Sequence, residues 1–253
     1  MFLFLMSKSI NIFGFHSIES ILKTNPELVL KVLIQNGRKD KRIIDLSNTL
    51  DSHKISFSIA DKSKLDSISK GEVHQGIVSE IITPPILSGE AFFSSIANFD
   101  QKPMILILDS VQDPRNLGAC LRSANAAGVS HVIINKDGSA PINSLVHRTS
   151  AGAINSLKIF HVTNLSRTIK EIQKRNIWVV GLDGEANSSL YNVNLTGSIA
   201  IVMGSEGKGI RQLIKKTCDQ IVSIPMSGNI ESLNVSVATA ISLFEIKRQR
   251  ESS

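Results

Sequence analysis

Asn116, Arg122, Glu206, Ser232 and Asn234 lie in three glycine-punctuated segments of the C-terminal half, each beside a run of apolar residues. The first segment is Asp113-Pro-Arg-Asn-Leu-Gly-Ala-Cys-Leu-Arg-Ser123. It follows a predicted strand, at the end of the strand where open α/β sheets bind their ligands. Gly118 lets the backbone come close to a substrate, and a helix N-terminus suits an anion such as an RNA phosphate. Arg122 follows Asn116 by six residues, a spacing of roughly two helical turns that predicts one shared mouth. The same residues would also serve as a plain first helical turn with a solvated arginine.

The second segment, Ile199-Ala-Ile-Val-Met-Gly-Ser-Glu-Gly-Lys-Gly-Ile210, carries an apolar strand into Gly204, Gly207 and Gly209, with Glu206 and Lys208 between them. Such glycines permit positive φ and close approach of main chain to a ligand. The spacing is neither that of a phosphate-binding P-loop nor that of the dinucleotide fingerprint, and a tight β–α turn explains it equally well. In the third segment, a strand ends at Ile224-Pro225 and a Ser-, Asn- and Gly-dense loop feeds a helix expected to bury Val235, Val237 and Ala238. Ser232 or Asn234 is a candidate helix cap, and the density of polar residues also suits a loop folded round a polar ligand.

Together these residues resemble the SpoU/TrmH family of RNA 2′-O-ribose methyltransferases, within the SPOUT superfamily. The likeness rests on three ordered motifs: Asn116-Leu-Gly-x-x-x-Arg122, Met203-Gly-Ser-Glu-Gly-x-Gly-Ile210, and Ile224-Pro-Met-x-Gly-x-x-x-Ser-Leu-Asn-Val-Ser236. Each is modest alone; their order and separation are specific. The resemblance covers residues 104–248 and extends more faintly to Gly14-Phe-His16 and Val73-His-Gln-Gly-Ile77, which look like the family's RNA-binding domain of ribosomal-protein type.

The resemblance implies S-adenosylmethionine as cofactor, contacted by Gly204, Gly209, Ile224, Met226 and Leu233, with no metal. It implies a C-terminal domain knotted as a deep trefoil, although threaded chains are nearly absent from proteins. It also implies a homodimer whose site joins the cofactor loops of one subunit to the first motif of its partner. The implied substrate is a guanosine in the peptidyl-transferase region of 23S ribosomal RNA, free or in a ribosome precursor. Transfer RNA is the alternative substrate, and a non-catalytic RNA-binding relative the alternative role. By resemblance Arg122 activates the ribose 2′-hydroxyl. An arginine pKa above ~12 makes it a poor general base, so an electrostatic clamp on developing alkoxide and phosphate is the expected role. Asn116, Glu206, Ser232 and Asn234 would orient Arg122, the ribose or the cofactor.

These segments must be positioned by an alternation of strands and helices. Strands are predicted at 103–109, 131–134, 178–182, 198–203 and 220–224, and helices at 119–127, 164–175, 209–217 and 234–248. That alternation predicts a mostly parallel sheet covered on both faces. A smaller α/β unit is predicted ahead of it, with helices at 17–22 and 41–50 and strands at 28–34, 54–60 and 76–82. Thr83-Pro-Pro85 favours an extended connector. The expected division is therefore an RNA-binding domain at 8–82, a linker at 83–101 and a catalytic domain at 102–253.

The chain has 253 residues, 42% hydrophobic and 20% charged, a composition that excludes a disordered protein. Residues 1–100 hold 11 Lys+Arg against 11 Asp+Glu, and the remainder 17 against 11, so the net charge of +6 lies in the second part. A basic surplus favours a polyanionic partner. The two cysteines, Cys120 and Cys218, exclude a disulfide framework and lack zinc-ligand company. Residues 1–6 are apolar but lack the flanks of a signal peptide, and no apolar run approaches ~20 residues. A cytoplasmic protein is expected. Arg38, Lys39, Lys41 and Arg42 form a basic run that suits either RNA or a solvated loop. His16 and His74 are read as structural polar residues.

Overall fold

The computed structural model describes residues 9–83, 85–96, 102–230 and 232–252. Two compact units result, one from the residues up to Pro85 with Ile142–Ser156, the other from Ile86–Pro141 and Leu157–Ser253.

The first unit runs β1 (Ser9–Phe13), α1 (Phe15–Thr24), β2 (Val29–Gln35), α2 (Lys41–Ser52), β3 (Phe57–Ala60), α3 (Lys62–Ser69) and β4 (Ile77–Ile82). Its sheet has the order β1-β4-β2-β3, with β4 antiparallel to β1 and β2 and with β2 parallel to β3. Phe15, Ile18, Ile21 and Leu22 of α1 and Ile43, Leu46 and Leu50 of α2 fall at helical spacing. They close over Val32, Ile34, Ile77 and Ile81 of the sheet. Asp40 starts α2 by accepting a hydrogen bond from the Ile43 amide at 3.3 Å.

The second unit contains β5 (Leu87–Ser88), α4 (Gly89–Ser95), β6 (Met104–Leu108), α5 (Pro114–Ala127) and β7 (His131–Asn135). After α6 (Ser144–Thr149), which belongs to the first unit, come β8 (Lys158–Val162), α7 (Leu165–Gln173), β9 (Trp178–Leu182), β10 (Ile199–Met203), α8 (Gln212–Thr217), β11 (Gln220–Val222) and α9 (Val235–Glu251). Its seven strands, ordered β11-β9-β10-β6-β7-β8-β5, pair parallel throughout. Every residue of β6, β7 and β10 is buried, as a parallel sheet packed on both faces requires. Parallel pairing also brings the loops after β6, β9, β10 and β11 out at one edge, the edge where such sheets bind ligands. Among the described residues, no helix is long and apolar enough to cross a membrane.

Three local expectations change. The stretch after Pro85 is not a bare connector: Leu87 and Ser88 pair parallel to β8, and Phe92 of α4 is fully buried against Phe160 and His131. The helix expected at 119–127 begins at Pro114, because proline at the first helical position loses no needed N–H and Asp113 caps it through the Arg115 amide at 2.8 Å. Conversely, the helix expected from Gly209 starts only at Gln212, since Gly209 is held at φ 63° in the preceding turn.

Candidate active site

The loop after β10 is shaped by its own backbone. Ser205 and Gly209 exchange two main-chain hydrogen bonds, of 3.0 and 2.9 Å, which fold the loop back on itself. A Cβ on Gly204 would stand 2.0 Å from the carbonyl carbon of Gly209, so only glycine fits there. The need for Gly204 thus arises inside the loop, independently of any ligand. Gly207, at φ 79°, has open space around it.

Behind this loop lies an ion pair between the end of β6 and the start of α8. The fully buried Asp109 accepts hydrogen bonds from the Arg211 amide at 3.0 Å and from Arg211 Nε at 2.7 Å. It thereby ties the end of β6 to the entrance of α8, and a buried carboxylate of this kind is tolerable only when so paired. Next to it, Ser110 adopts φ 65° and its amide donates to Asn135 Oδ1 at 2.8 Å. Asp183, at the end of β9, meets Lys215 Nζ at 2.8 Å. Burial pushes the Asp183 carboxyl up, but the Lys215 ammonium outweighs it and holds the group below the usual carboxylate range.

The three motifs converge on one hydrogen-bonded ring. Asn116 Nδ2 donates to Glu206 Oε2 at 2.9 Å, Asn234 Nδ2 donates to Asn116 Oδ1 at 3.0 Å, and the same Nδ2 donates to Glu206 Oε1 at 3.1 Å. Asn234 is also the cap of α9, its Oδ1 accepting from the Ser236 amide at 2.9 Å and the Ser236 hydroxyl at 2.6 Å. Of the two candidate caps, Asn234 therefore serves and Ser232 stays exposed. Both oxygens of Glu206 act as acceptors, leaving further lone pairs toward solvent.

Arg122 does not join this ring. It is exposed on α5 and, among the described residues, makes no hydrogen bond or ion pair. Six helical residues turn the side chain about 120° away from Asn116, so the two do not face one mouth within a single chain.

The segment after β11 runs beside the loop after β9. The Asp183 amide donates to Val222 O at 2.9 Å, Leu190 N to Ser223 O at 2.8 Å, and Ser223 N to Ser188 O at 2.8 Å. Beyond Ile224, half-buried, the loop exposes Met226 and Ile230, 38% and 62% accessible, while Leu233 is half-buried. Apolar side chains displayed on a polar loop, beside a glycine loop with open main chain, form a surface suited to a flat organic ligand with a polar tail. The Cys120 thiol is buried and that of Cys218 half-buried. Burial pushes Cys120 up to about 11, and burial with Asp219 and Asp109 pushes Cys218 up to about 12.

A parallel open sheet whose edge loops gather polar side chains round an exposed glycine turn defines a ligand-binding α/β domain of the transferase or nucleotide-binding kind. Comparison with known proteins narrows it. Residues 103–244 match the model of the SpoU rRNA Methylase family, and residues 11–86 match that of the RNA 2′-O ribose methyltransferase substrate-binding domain. The 23S rRNA (guanosine-2′-O-)-methyltransferase RlmB of Escherichia coli strain K12 is 46% identical over 239 residues, 94% of this chain and 98% of that protein. RlmB of Haemophilus influenzae is 46% identical over 240 residues, 94% and 97% of the two chains. A crystal structure of an RNA 2′-O ribose methyltransferase superposes with TM-score 0.78 at 26% identity, covering 97% of this chain and 90% of that one. The AdoMet complex of the SpoU methyltransferase AviRb from Streptomyces viridochromogenes, 22% identical, shares the fold with TM-score 0.78 over 97% and 92% of the chains. The chain belongs to the SpoU rRNA methylase family.

Proposed function

We propose that this protein transfers a methyl group from S-adenosylmethionine to the ribose 2′-hydroxyl of a guanosine in the peptidyl-transferase region of 23S ribosomal RNA. The observation that carries the reading is the ring of Asn116, Glu206 and Asn234, one residue from each motif, closed by three side-chain hydrogen bonds. The 46% identity to RlmB over nearly the whole chain supports the substrate. Residues 8–82 are assigned to RNA binding and 102–253 to catalysis, with 142–156 packing in the first unit and 86–96 in the second, in a cytoplasmic protein.

Bound S-adenosylmethionine supplies the methyl on an electrophilic sulfonium, so the ribose oxygen needs chiefly to be aimed at it. The open main chain at Gly207 and Gly209, on a loop whose close fold Gly204 permits, fits an adenosyl group and its polar tail together with the apolar edges of Ile224, Met226 and Leu233. Asn116 and Asn234 fix the Glu206 carboxylate, whose remaining acceptor positions hold hydroxyl or ammonium donors of the bound partners. Ser232, exposed at the entrance to α9, adds a further hydroxyl. Such positioning is worth on the order of 7–11 kcal/mol in favourable cases. Arg122 stabilises the developing alkoxide and the neighbouring phosphate.

Arg122 acts from a second copy of the chain. Its distance in angle from Asn116 supports this, as does the exposed stripe of Val237 and Phe244 on α9, which packs with α5. A homodimer joined through α5 and α9 covers that stripe. A trefoil knot formed by the segment after β11 passing the loop after β9 accords with the hydrogen bonds of Ser223 to Ser188 and Leu190. The test is incubation with methyl-labelled S-adenosylmethionine and 23S ribosomal RNA, followed by digestion to nucleosides. Label is expected in 2′-O-methylguanosine; label on a base or on no nucleoside contradicts the reading.

A further inference from the structure

The small unit holds a cleft of about 600 Å³ between loops 35–38 and 71–76, with Lys62 and Asp66 of α3 on its side. That volume lies in the range of pockets for small organic ligands, about 300–1,000 Å³. Of the two faint N-terminal motifs, Val73-His-Gln-Gly lines it and Gly14-Phe-His16 braces that loop from behind. Gln75 Oε1 accepts from the Phe15 amide at 3.3 Å, and the Gly14 amide donates to Ile77 O at 3.4 Å, which locks residues 14–16 to 73–77. His74 is consumed in the wall: Nδ1 accepts from the Gly76 amide at 3.0 Å, so Nε2 carries the proton that it donates to Asp66 Oδ1 at 2.8 Å. Gly76, at φ 77°, leaves room for Arg38, which a Cβ would approach to 2.8 Å. Arg38 in turn binds Asp40 and the Gln75 carbonyl.

What these braces leave over has a chemical character. The acids are engaged, Asp66 by His74 and Glu72 by Arg148 and Ser144. Among the described residues, the side-chain amide of Gln35 and the ammonium of Lys62 make no hydrogen bond or ion pair. Val73, 72% accessible, stands at the rim. An amide able to both donate and accept, a free cation and an exposed apolar surface match a base edge, a phosphate and a base face. Outside the cleft, Lys39 and Lys41 are exposed, and the Arg42 guanidinium lies 4.3 Å over the Phe15 ring, held by Glu19.

We propose that this cleft receives one unpaired nucleotide of the RNA, with the Gln35 amide on the base edge, Val73 against the base face and Lys62 on a flanking phosphate. The Lys39, Lys41 and Arg42 ridge carries the strand beyond it. An unpaired base is the fitting occupant because side chains cannot reach base edges in the deep groove of an RNA helix, whereas splayed-out bases enter pockets. The proposal rests on the reading of the protein as an RNA methyltransferase and names how its substrate is gripped away from the methyl-transfer site.

The experiment uses the full chain and fluorescence anisotropy with two labelled RNAs, a hairpin with a single-stranded loop and a fully paired duplex of the same stem. The wild type is expected to favour the hairpin. Gln35→Ala is expected to weaken hairpin binding roughly tenfold, the effect of losing a base contact, with duplex binding unchanged. Lys62→Ala is expected to lower the slope of log affinity against log salt by about 0.7, one phosphate contact on a single strand. Unchanged melting temperature and S-adenosylmethionine affinity show that the variants are folded. Equal hairpin and duplex binding by the wild type, hairpin binding by Gln35→Ala that matches wild type, or an equal loss on both RNAs overturns the cleft assignment. Labelled methyl transfer by the wild type is measured in parallel. Its absence removes the methyltransferase reading, while the cleft still stands or falls on the anisotropy.

Discussion

Asn116 and Glu206 are separated by 90 positions in the chain, yet Asn116 Nδ2 rests 2.9 Å from Glu206 Oε2. The helix after β6 and the glycine loop after β10 are thereby held by a contact between two side chains that neither element needs for its own folding. An exposed contact of this kind adds little to stability and leaves its side chains available for chemistry.

Replacing Glu206 therefore separates activity from stability. Glu206 is exposed, and loss of exposed polar contacts usually changes stability by less than about 0.5 kcal/mol. Glu206→Ala should melt like the wild type and lose methyl transfer by roughly a hundredfold, as removal of a positioning group does. Single-turnover rates beside melting curves check both halves.

Asn234 has two duties that two substitutions divide. Asn234→Ala removes both the α9 cap and the donor to Asn116 and Glu206, and loss of a cap destabilises by about 0.5–2 kcal/mol. Asn234→Ser keeps a capping oxygen but lacks the amide that donates to the ring. Stability should return with serine and activity should not, measured by urea denaturation and by initial rates.

Gly204→Ala should prevent folding of the second unit, because the added methyl meets the Gly209 backbone at 2.0 Å and backbone cannot swing aside as a side chain does. Soluble yield and near-ultraviolet circular dichroism report it. Gly207→Ala meets no neighbour but must hold φ 79°, so it should lower stability by only about 1 kcal/mol.

His147 predicts an acid limb to stability. Burial pushes its pKa down to about 4, and its Nε2 has no partner. The unfolded chain binds a proton near pH 6.5 that the folded chain refuses until about pH 4. Stability from this group is complete above pH 6.5 and is lost as pH falls from there to about 4. The loss is on the order of 3 kcal/mol for a shift of this size. Urea midpoints measured between pH 7.5 and 4.5 should fall, and His147→Leu should flatten the curve.

Much of this architecture is legible in the sequence where a signal is local. The strand Trp178–Leu182 is bounded as its apolar run predicts, and β6, β7 and β10 are visible because strands buried on both faces are apolar throughout. Lys158–Val162 mixes Lys, His and apolar residues in five positions and α3 has only Leu65 and Ser69 buried, so neither carries a pattern that stands out. Asn116, Glu206 and Asn234 are each identifiable as motif residues, but their meeting depends on the strand order β10-β6, which no local pattern encodes. The partnership of Asp109 with Arg211 is hidden for the same reason, although an acid closing a fully apolar strand is a usable signal. The shared mouth expected of Asn116 and Arg122 fails within one chain because six helical residues turn the two about 120° apart, a consequence of the helical period.

The most direct measurement is a ribose-methylation map of 23S ribosomal RNA from cells with and without this protein, complemented by the wild type or by Arg122→Lys. One 2′-O-methylguanosine in the peptidyl-transferase region should vanish without the protein and return with the wild type. It should stay absent with Arg122→Lys, although that variant folds and binds S-adenosylmethionine. An unchanged map, or full restoration by Arg122→Lys, would contradict the assignment of the substrate or of the arginine.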